Sequence, residues 1–254
     1  MSIPSYSVEG KVTIVTGSSQ GIGNVLARGF AEAGASVVLA SRNVSLLKDV
    51  VREIEANGGK ALAVPTDVTD SAQVSQMVER TLESFGRIDV LINCAGGSGE
   101  NRLKPLLDLE ESVWDAVINL SLKSVYLCCR AAGRVMVEQK SGSIINFSSG
   151  AATGVVPGMT HYNSAKAGVN QFTKVLAAEW GRYNVRVNAI SPGLTDTPSE
   201  RQHMPPEQFE RYARMIPMGR VGQPEDILGT ALFLAAETSA YVTGAIVVVA
   251  GGPQ

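Results

Sequence analysis

Seven short runs of apolar, largely β-branched residues recur along the chain, and longer segments with helical periodicity separate them. The runs cover residues 11–16, 36–41, 61–64, 88–93, 143–147, 185–190 and 245–249. The later helical patterns cover residues 112–138, 162–182 and 224–235. Strands that alternate with helices in this way are typical of a parallel sheet. The pattern predicts a doubly wound α/β fold with a seven-stranded, mostly parallel sheet and helices on both faces.

The chain length favours one domain. The 254 residues lie near the upper limit for a single core, and no repeat or Gly/Ser linker divides them, so we expect one domain over 1–254. The densest cluster of prolines falls in one late stretch: Pro192, Pro198, Pro205, Pro206 and Pro217. We interpret this stretch as a mobile loop, with a substrate lid over about 194–218. Phe209, Tyr212 and Met215 share a helical face there, which fits a lid or a helix packed on the core.

Charge and cysteine content argue against several kinds of partner. With 22 basic and 24 acidic residues, the chain has no electrostatic footprint for nucleic acid or an anionic membrane. Residues 1–11 lack a leader pattern and no apolar stretch reaches about 18 residues, so we expect a cytoplasmic protein with no membrane span. Cys94, Cys128 and Cys129 contain no CxxC motif, and the two histidines lack clustered partners. We therefore expect neither a disulfide framework nor a metal site.

A glycine-rich turn follows the first predicted strand and precedes a helical run. The residues singled out in this turn as cofactor ligands are Gly17, Ser19, Gln20, Gly21, Ile22 and Gly23. Glycines let a backbone approach a pyrophosphate closely, and the free amides at a helix N-terminus stabilise its charge. The turn therefore predicts a dinucleotide site in a Rossmann-type fold. An ordinary turn between strand and helix is the alternative.

The end of the second predicted strand bears on the choice of cofactor. An NAD-selective site commonly carries an acid about 20 residues beyond the glycines, and here Ser41 and Arg42 stand instead. A serine hydroxyl can hydrogen-bond a 2′-phosphate, and an arginine offers it a charged fork. We therefore expect NADP(H) to be preferred, with NAD(H) possible. A solvated arginine is the alternative, and Gln20 adds no second positive charge.

Several motifs in a fixed order carry a family resemblance. They are the glycine turn, Asp67–Val68, Asn93-Cys94-Ala95-Gly96, Ser149 placed 13 residues before Tyr162-x-x-x-Lys166, and Pro192–Gly193. In this combination the chain resembles the short-chain dehydrogenase/reductase family over nearly its whole length. The resemblance implies an oxidoreductase in which Tyr162 is the acid/base and Lys166 also binds the nicotinamide ribose.

The same chemistry can be argued from the three residues themselves. Removal of a hydride from a secondary alcohol requires a base at the hydroxyl, and a phenol with a pKa of about 10 needs help in that role at neutral pH. Lys166 lies four residues after Tyr162 on the same helical face, and at about 4 Å its charge would stabilise a phenolate by about 4 kcal/mol before desolvation is counted. Ser149 follows a strand and can donate to the substrate oxygen.

The resemblance also implies further contacts and an assembly. Asp67 and Val68 would flank the adenine. Asn93, Ala95 and Gly96 would line the ribose and nicotinamide side, and Pro192, Gly193 and Thr195 would meet the nicotinamide. A homotetramer or homodimer would form through the helices at 112–138 and 162–182.

Three positions depart from the family pattern. Ser121 stands where an active-site asparagine is usual, and Asn119, two residues earlier, should not replace it, because two residues turn an α-helix by about 200°. In the family that the chain resembles, this asparagine helps to hold a proton-relay water, partly through its main chain, so Ser121 is expected to weaken the relay without abolishing it. Cys94 replaces an asparagine, and Ala250 replaces an aspartate in the late V-D-G-G pattern.

The substrate is less well defined by the sequence. Apolar residues in 150–161 and 194–218 favour a small or medium apolar carbonyl or alcohol. His161 is expected to be an exposed loop histidine. The leading function is a ketone reductase or secondary-alcohol dehydrogenase. The alternatives are a 3-oxoacyl-thioester reductase and a sensor that binds the cofactor without turnover.

Overall fold

A computed structural model describes residues 5–99 and 103–253, and its centre is one parallel sheet of seven strands. The first four residues, on which part of the N-terminal expectation rests, lie outside the described residues. The strands are β1 Val12–Thr16, β2 Ser36–Ser41, β3 Lys60–Pro65, β4 Val90–Asn93, β5 Gly142–Phe147, β6 Val185–Pro192 and β7 Ile246–Val249. The helices are α1 Gly21–Glu32, α2 Val44–Ala56, α3 Ser71–Phe85, α4 Glu111–Ile118, α5 Ser124–Gln139, α6 Thr160–Trp180, α7 Pro198–His203, α8 Pro206–Met215 and α9 Glu225–Ala235.

The order of the strands creates a crevice at one edge of the sheet. They lie in the order β3-β2-β1-β4-β5-β6-β7, and all neighbouring pairs are parallel. The direction of winding reverses between β1 and β4. Ligands of such sheets bind outside the carboxyl ends of the strands at this point.

Successive strand residues point to opposite faces, and helices cover both. Ile14 belongs to a core packed by α3, α5 and α6, whereas the neighbouring Val15 belongs to a core packed by α1, α2 and α9. This arrangement confirms the predicted doubly wound sheet. It also buries β1, β2, β4, β5 and β6 on both sides, which explains their continuous apolar character.

The first and last helices of the domain are neighbours in space. Helix α1 packs against α9, and the contact is so close that a β-carbon at Gly29 would overlap the side chain of Leu228. At the end of α9, Lys11 Nζ donates to the carbonyl oxygen of Ala235 (2.9 Å). This cation lies where the helix carbonyls have no partner within the helix, so it stabilises the helix terminus.

Two regions differ from the sequence expectation. The predicted helix at 112–138 is divided into α4 and α5 by a π-helical turn, Asn119–Lys123. The late proline-rich stretch, predicted as a mobile loop, instead contains α7 and α8, each of which begins with a proline. Proline is favoured at the first position of a helix because its missing N–H has no partner to lose there.

Backbone hydrogen bonds join both ends of the predicted lid segment to other parts of the chain. The Gly222 amide donates to the Leu194 carbonyl (3.0 Å), and the Met218 amide donates to the Gly251 carbonyl (3.1 Å). Within the segment, Arg201 forms a two-bond ion pair with Asp196 (2.6 Å each). Along α8, Phe209 is partly buried, whereas Tyr212 and Met215 are exposed. The three residues therefore do not form one buried face.

Candidate active site

A cavity of about 450 Å³ lies at the crevice where β1 and β4 meet. Twelve residues predicted as cofactor ligands line it: Gly17, Ser19, Gln20, Gly21, Ile22, Gly23, Ser41, Arg42, Asp67, Val68, Ala95 and Gly96. These residues come from the ends of β1, β2 and β4 and from the segment after β3. The structure thus brings most of the predicted cofactor set together.

The glycine turn has no room for side chains. Gly17 has a left-handed φ of 70°, and a β-carbon there would lie 2.9 Å from the Ala95 backbone. A β-carbon at Gly23 would lie 2.5 Å from the Gly17 carbonyl oxygen. Gln20, the residue before α1, makes no capping hydrogen bond with its side chain. Bare backbone with uncapped amides at a helix N-terminus suits an anionic group such as a pyrophosphate.

The end of β2 places one cation on the cavity wall. Arg42 is exposed, and Ser41 is buried with its Oγ accepting from the Asn43 amide (3.1 Å). Hydrogen bonds from the Thr69 amide and hydroxyl lower the pKa of the Asp67 carboxyl, and the charge of Arg42 lowers it further. The Arg42 guanidinium therefore lies near enough to Asp67 to lower the pKa of its carboxyl group.

Asn93 does not line the cavity, although it was predicted to line the ribose and nicotinamide side. Its Nδ2 donates to Asn146 Oδ1 (2.9 Å) and to Cys129 Sγ (3.2 Å) within the core. Asn146 in turn donates to Thr173 Oγ1 (3.0 Å). The side chain of Asn93 thus belongs to a buried polar chain between the sheet and α5 and α6.

The segment after β6 contributes residues other than those predicted. Pro192, Gly193 and Thr195 do not line the cavity, and Thr195 is buried with its hydroxyl donating to the Gly193 carbonyl (3.1 Å). Thr197, Pro198 and Ser199 line it instead. The side chain of Thr197 lies 3.4 Å from the position that a β-carbon would take on Gly21. A threonine directly before proline is a helix-start signal that could have identified this wall.

The three predicted catalytic residues come from β5 and α6. Ser149 follows β5, and its Oγ accepts from the Ala151 amide (3.2 Å). Tyr162 and Lys166 lie on successive turns of α6, with Lys166 Nζ 5.7 Å from the centre of the tyrosine ring. The Lys166 ammonium donates to the Phe147 carbonyl at the end of β5 (2.7 Å). One strand end and one helix therefore carry all three side chains.

Lys166 is 4% exposed, and its burial lowers the pKa of the ammonium to about 8. A β-carbon at Gly96 would lie 3.2 Å from its Nζ, so the ammonium sits directly beneath the wall of the cavity. The nearby thiol of Cys94 has its pKa raised to about 12 by burial, against the opposing effect of Lys166. Cys94 is therefore a neutral part of the wall and not a nucleophile.

His161 differs from its predicted environment. It is fully buried in the first turn of α6, whereas it was expected on an exposed loop. Its Nε2 lies 3.4 Å from the Ser98 carbonyl oxygen, and its Nδ1 is buried without a hydrogen-bond partner. The helix begins two residues before Tyr162, which turns His161 inwards.

Ser121, at the position of the usual asparagine, is also fully buried. It lies in the π-helical turn and forms hydrogen bonds with both backbone groups of Gly97. Asn119 begins the same turn. A π-turn has more residues than an α-helical turn, so the α-helical angle between these positions does not apply.

Among residues 5–99 and 103–253, no group of three or more His, Cys, Asp or Glu side chains could hold a metal ion. Within the same ranges, no helix is long and apolar enough to cross a membrane.

Known proteins match the chain over nearly its full length. A family profile described as enoyl-(acyl carrier protein) reductase matches residues 17–254. The chain is 40% identical over 245 residues to the (2S)-[(R)-hydroxy(phenyl)methyl]succinyl-CoA dehydrogenase subunit BbsD of Thauera aromatica, covering 96% of this chain and 97% of the relative. It is 39% identical over 245 residues to the 3-oxoacyl-[acyl-carrier-protein] reductase FabG of Thermotoga maritima, covering 96% and 98%.

A solved structure agrees with these sequence matches. It is a 7α-hydroxysteroid dehydrogenase in complex with NADH and 7-oxo glycochenodeoxycholic acid, which superposes with a TM-score of 0.93 at 34% identity. The superposition covers 97% of this chain and 95% of the other. Sequence and fold therefore lead to the same group of proteins.

Proposed function

Because this chain belongs to the short-chain dehydrogenase/reductase family, we propose that it interconverts a ketone and a secondary alcohol with NADP(H) through Ser149, Tyr162 and Lys166. The chain is an NAD(P)-dependent oxidoreductase that acts on CH–OH or carbonyl groups. The finer assignment is supported above all by one observation. The buried ammonium of Lys166 lies between the tyrosine ring and the wall of the glycine-turn cavity.

The residues of the cavity fit a nicotinamide dinucleotide. Glycine at positions 17 and 23 lets the turn pack closely, because a β-carbon at either position would overlap backbone atoms, and the first residues of α1, Gly21–Gly23, line the cavity. The bound cofactor supplies or accepts the hydride. Gly17 and Gly23 would hold its pyrophosphate, and Lys166 would bind its ribose.

The preference for NADP(H) rests on Arg42. Its guanidinium is exposed on the cavity wall at the end of β2, where a carboxylate would repel a 2′-phosphate. NAD(H) is the alternative, and the solved 7α-hydroxysteroid dehydrogenase binds NADH. The preference is therefore a property to be measured for this chain.

Each of the three side chains has a separate task in the proposed reaction. Tyr162 gives a proton to the carbonyl oxygen during reduction and takes it back during oxidation. The charge of Lys166 stabilises the phenolate that remains after the proton leaves. Ser149 donates a hydrogen bond to the substrate oxygen as negative charge develops there.

Replacement of Tyr162 by phenylalanine tests this assignment. We expect turnover to fall by about 10²- to 10⁴-fold, because the acid/base is lost. NADPH affinity, measured by fluorescence titration, should change little. Tyr241→Phe, at a fully exposed tyrosine, is the matched control. Turnover equal to that of wild type in Tyr162→Phe would refute the role of this residue.

An apolar substrate is supported by the two loops that follow β4 and β5 at the carboxyl edge of the sheet. Leu103, Leu107 and Val155 are exposed in these loops, which are joined by a hydrogen bond from the Lys104 amide to the Gly158 carbonyl (2.8 Å). The 3-oxoacyl thioesters are the second candidate class, because the relatives include 3-oxoacyl-[acyl-carrier-protein] reductases. A panel of ketones, alcohols and 3-oxoacyl thioesters, followed by cofactor absorbance, distinguishes the two. NADPH binding without turnover of any member would favour the sensor alternative.

We also propose a homotetramer or homodimer formed through α5 and α6. Tyr126 and Val175 are exposed on these helices, beside a surface groove of about 750 Å³. Light scattering during size-exclusion chromatography would measure the assembly.

A cytoplasmic location is proposed because Cys94, Cys128 and Cys129 are all free thiols, as in a reducing compartment.

A further inference from the structure

The segment 150–159 joins two of the three proposed catalytic residues. It begins directly after Ser149 and ends at α6, whose third residue is Tyr162. Residues 153–157 are exposed, and three glycines lie in the segment. Exposed backbone that is rich in glycine has many accessible conformations, so an ordered shape needs hydrogen bonds within the segment or to a neighbouring element.

The Ala151 amide controls the direction of the Ser149 hydroxyl. It donates to Ser149 Oγ (3.2 Å). A hydroxyl has two acceptor lone pairs and one proton, so this bond uses a lone pair and leaves the proton for another acceptor. Because the incoming N–H restricts rotation of the hydroxyl, a displacement of Ala151 would change where the Ser149 proton points.

The position of Ala151 depends in turn on Gly154. Ala151 lies in the 3₁₀ turn Gly150–Ala152. The Gly154 amide donates to the Gly150 carbonyl (2.8 Å) and thereby closes this turn. Gly154 is the last residue of a short hydrogen-bonded unit that starts at the catalytic serine.

A side chain of α6 binds the other polar group of Gly154. Asn163 Nδ2 donates to the Gly154 carbonyl (3.2 Å), and Asn163 directly follows Tyr162 in the helix. Among residues 5–99 and 103–253, the Oδ1 atom of Asn163 has no hydrogen-bond partner. The side chain therefore acts on the protein through its Nδ2 bond, which connects the serine turn to the helical turn that carries the tyrosine.

We propose that Asn163 is a positioning residue that ties the turn 150–154 to α6 and so directs the Ser149 hydroxyl towards the substrate oxygen. This inference rests on the proposed function, because the direction of the hydroxyl matters to turnover only if Ser149 polarises that oxygen. The effect of Asn163 passes through Gly154 and Ala151, and it does not require contact with the substrate.

Two substitutions of Asn163 remove the donor in different ways. Asn163→Asp keeps the shape of the side chain, and Asn163→Leu makes it apolar. For both we expect kcat to fall by about 5- to 50-fold, because a neutral hydrogen bond that positions a catalytic group is lost. The Kd of NADPH, measured by fluorescence titration, should stay unchanged, since Asn163 does not line the cofactor cavity.

Asn170→Leu is the matched control. Asn170 is partly buried in the same helix, and its Oδ1 also lacks a partner within the described ranges. This variant should keep the wild-type kcat. Wild-type kcat in both Asn163 variants would overturn the proposal, as would an equal loss in Asn170→Leu.

A double-mutant cycle with Ser149→Ala separates positioning from a general structural role. In the Ser149→Ala background, Asn163→Leu should change the residual kcat by less than about 2-fold, because the hydroxyl that it directs is absent. Losses that multiply in the double variant would mean that Asn163 acts on a group other than Ser149, and the proposal would fail.

Hydrogen exchange gives a readout that does not depend on turnover. A peptide that contains residues 149–158 should exchange faster in Asn163→Leu than in wild type, and at the wild-type rate in Asn170→Leu. The same rate in all three proteins would refute the tie between the turn and α6. If wild type reduces no carbonyl and oxidises no alcohol, the proposed function fails, while the exchange result still decides whether Asn163 holds the turn.

Discussion

The buried ammonium of Lys166 should impose a specific pH dependence on the stability of the cofactor-free protein. Burial lowers its pKa from 10.5 to about 8, a difference of about 2.5 units. At about 1.36 kcal/mol per unit, this corresponds to about 3 kcal/mol. The perturbation is Lys166→Met, which keeps an unbranched side chain of similar length and removes the titrating group.

The direction of this pH dependence follows from the number of protons that the native and the unfolded chain bind. Below about pH 8 both the native and the unfolded chain carry the proton, so this residue adds no slope. Between about pH 8 and 10.5 the native state has lost the proton while the unfolded chain retains it, and stability then rises with pH. The free energy of unfolding of wild type, minus that of Lys166→Met, should therefore increase by about 3 kcal/mol from pH 7 to 10.5.

Urea unfolding, followed by tryptophan fluorescence at several pH values without cofactor, measures this difference. Lys174→Met removes an exposed lysine from the same helix and controls for the general loss of a positive charge. A wild-type-minus-variant difference that stays constant from pH 7 to 10.5 would refute the reasoning. It would mean that the Lys166 ammonium keeps its hydration in the folded protein.

Two further substitutions test the cofactor choice and the packing of α5 on α6. Arg42→Ala should weaken NADPH by about 10- to 100-fold in Kd and NADH much less, because one charged hydrogen-bonding partner of the 2′-phosphate is lost; equal losses by fluorescence titration would contradict this. Gly133→Ala should cost about 1–3 kcal/mol in urea unfolding, because the new methyl group would overlap the ring of Trp180. Gly229→Ala, in a helix with open space around it, is the control and should be neutral or stabilising; equal stability of both variants would exclude the overlap.

The central strands could be predicted from the sequence because strands that are buried on both faces consist of continuous runs of apolar residues. The second run was predicted at 36–41 and the strand is Ser36–Ser41. The π-helical turn at Asn119–Lys123 could not be predicted, because its residues continue the helical pattern and the change lies in the backbone hydrogen bonds. Helices α7 and α8, in the predicted lid segment, had a start signal in Pro198 and Pro206, but the high density of prolines favoured the interpretation as a loop.

The candidate site shows the same division between local and distant information. The glycine turn is one short motif, so its residues were predicted together and lie together on the cavity wall. The environments of Asn93 and His161 depend on partners far along the chain, Asn146 and Ser98, and no local pattern reveals such partners. Thr197 reaches the cavity only because the chain folds back over Gly21 after β6.

The contact between α1 and α9 has a consequence for how the protein is made. The helix that opens the dinucleotide site leaves a ribosome well before the helix that covers its Gly29 side. During synthesis the glycine turn therefore stands on a helix with one flank bare. Capture of the cofactor by a growing chain should be weak until α9 has emerged, which makes the synthesis of this helix the step that closes the site.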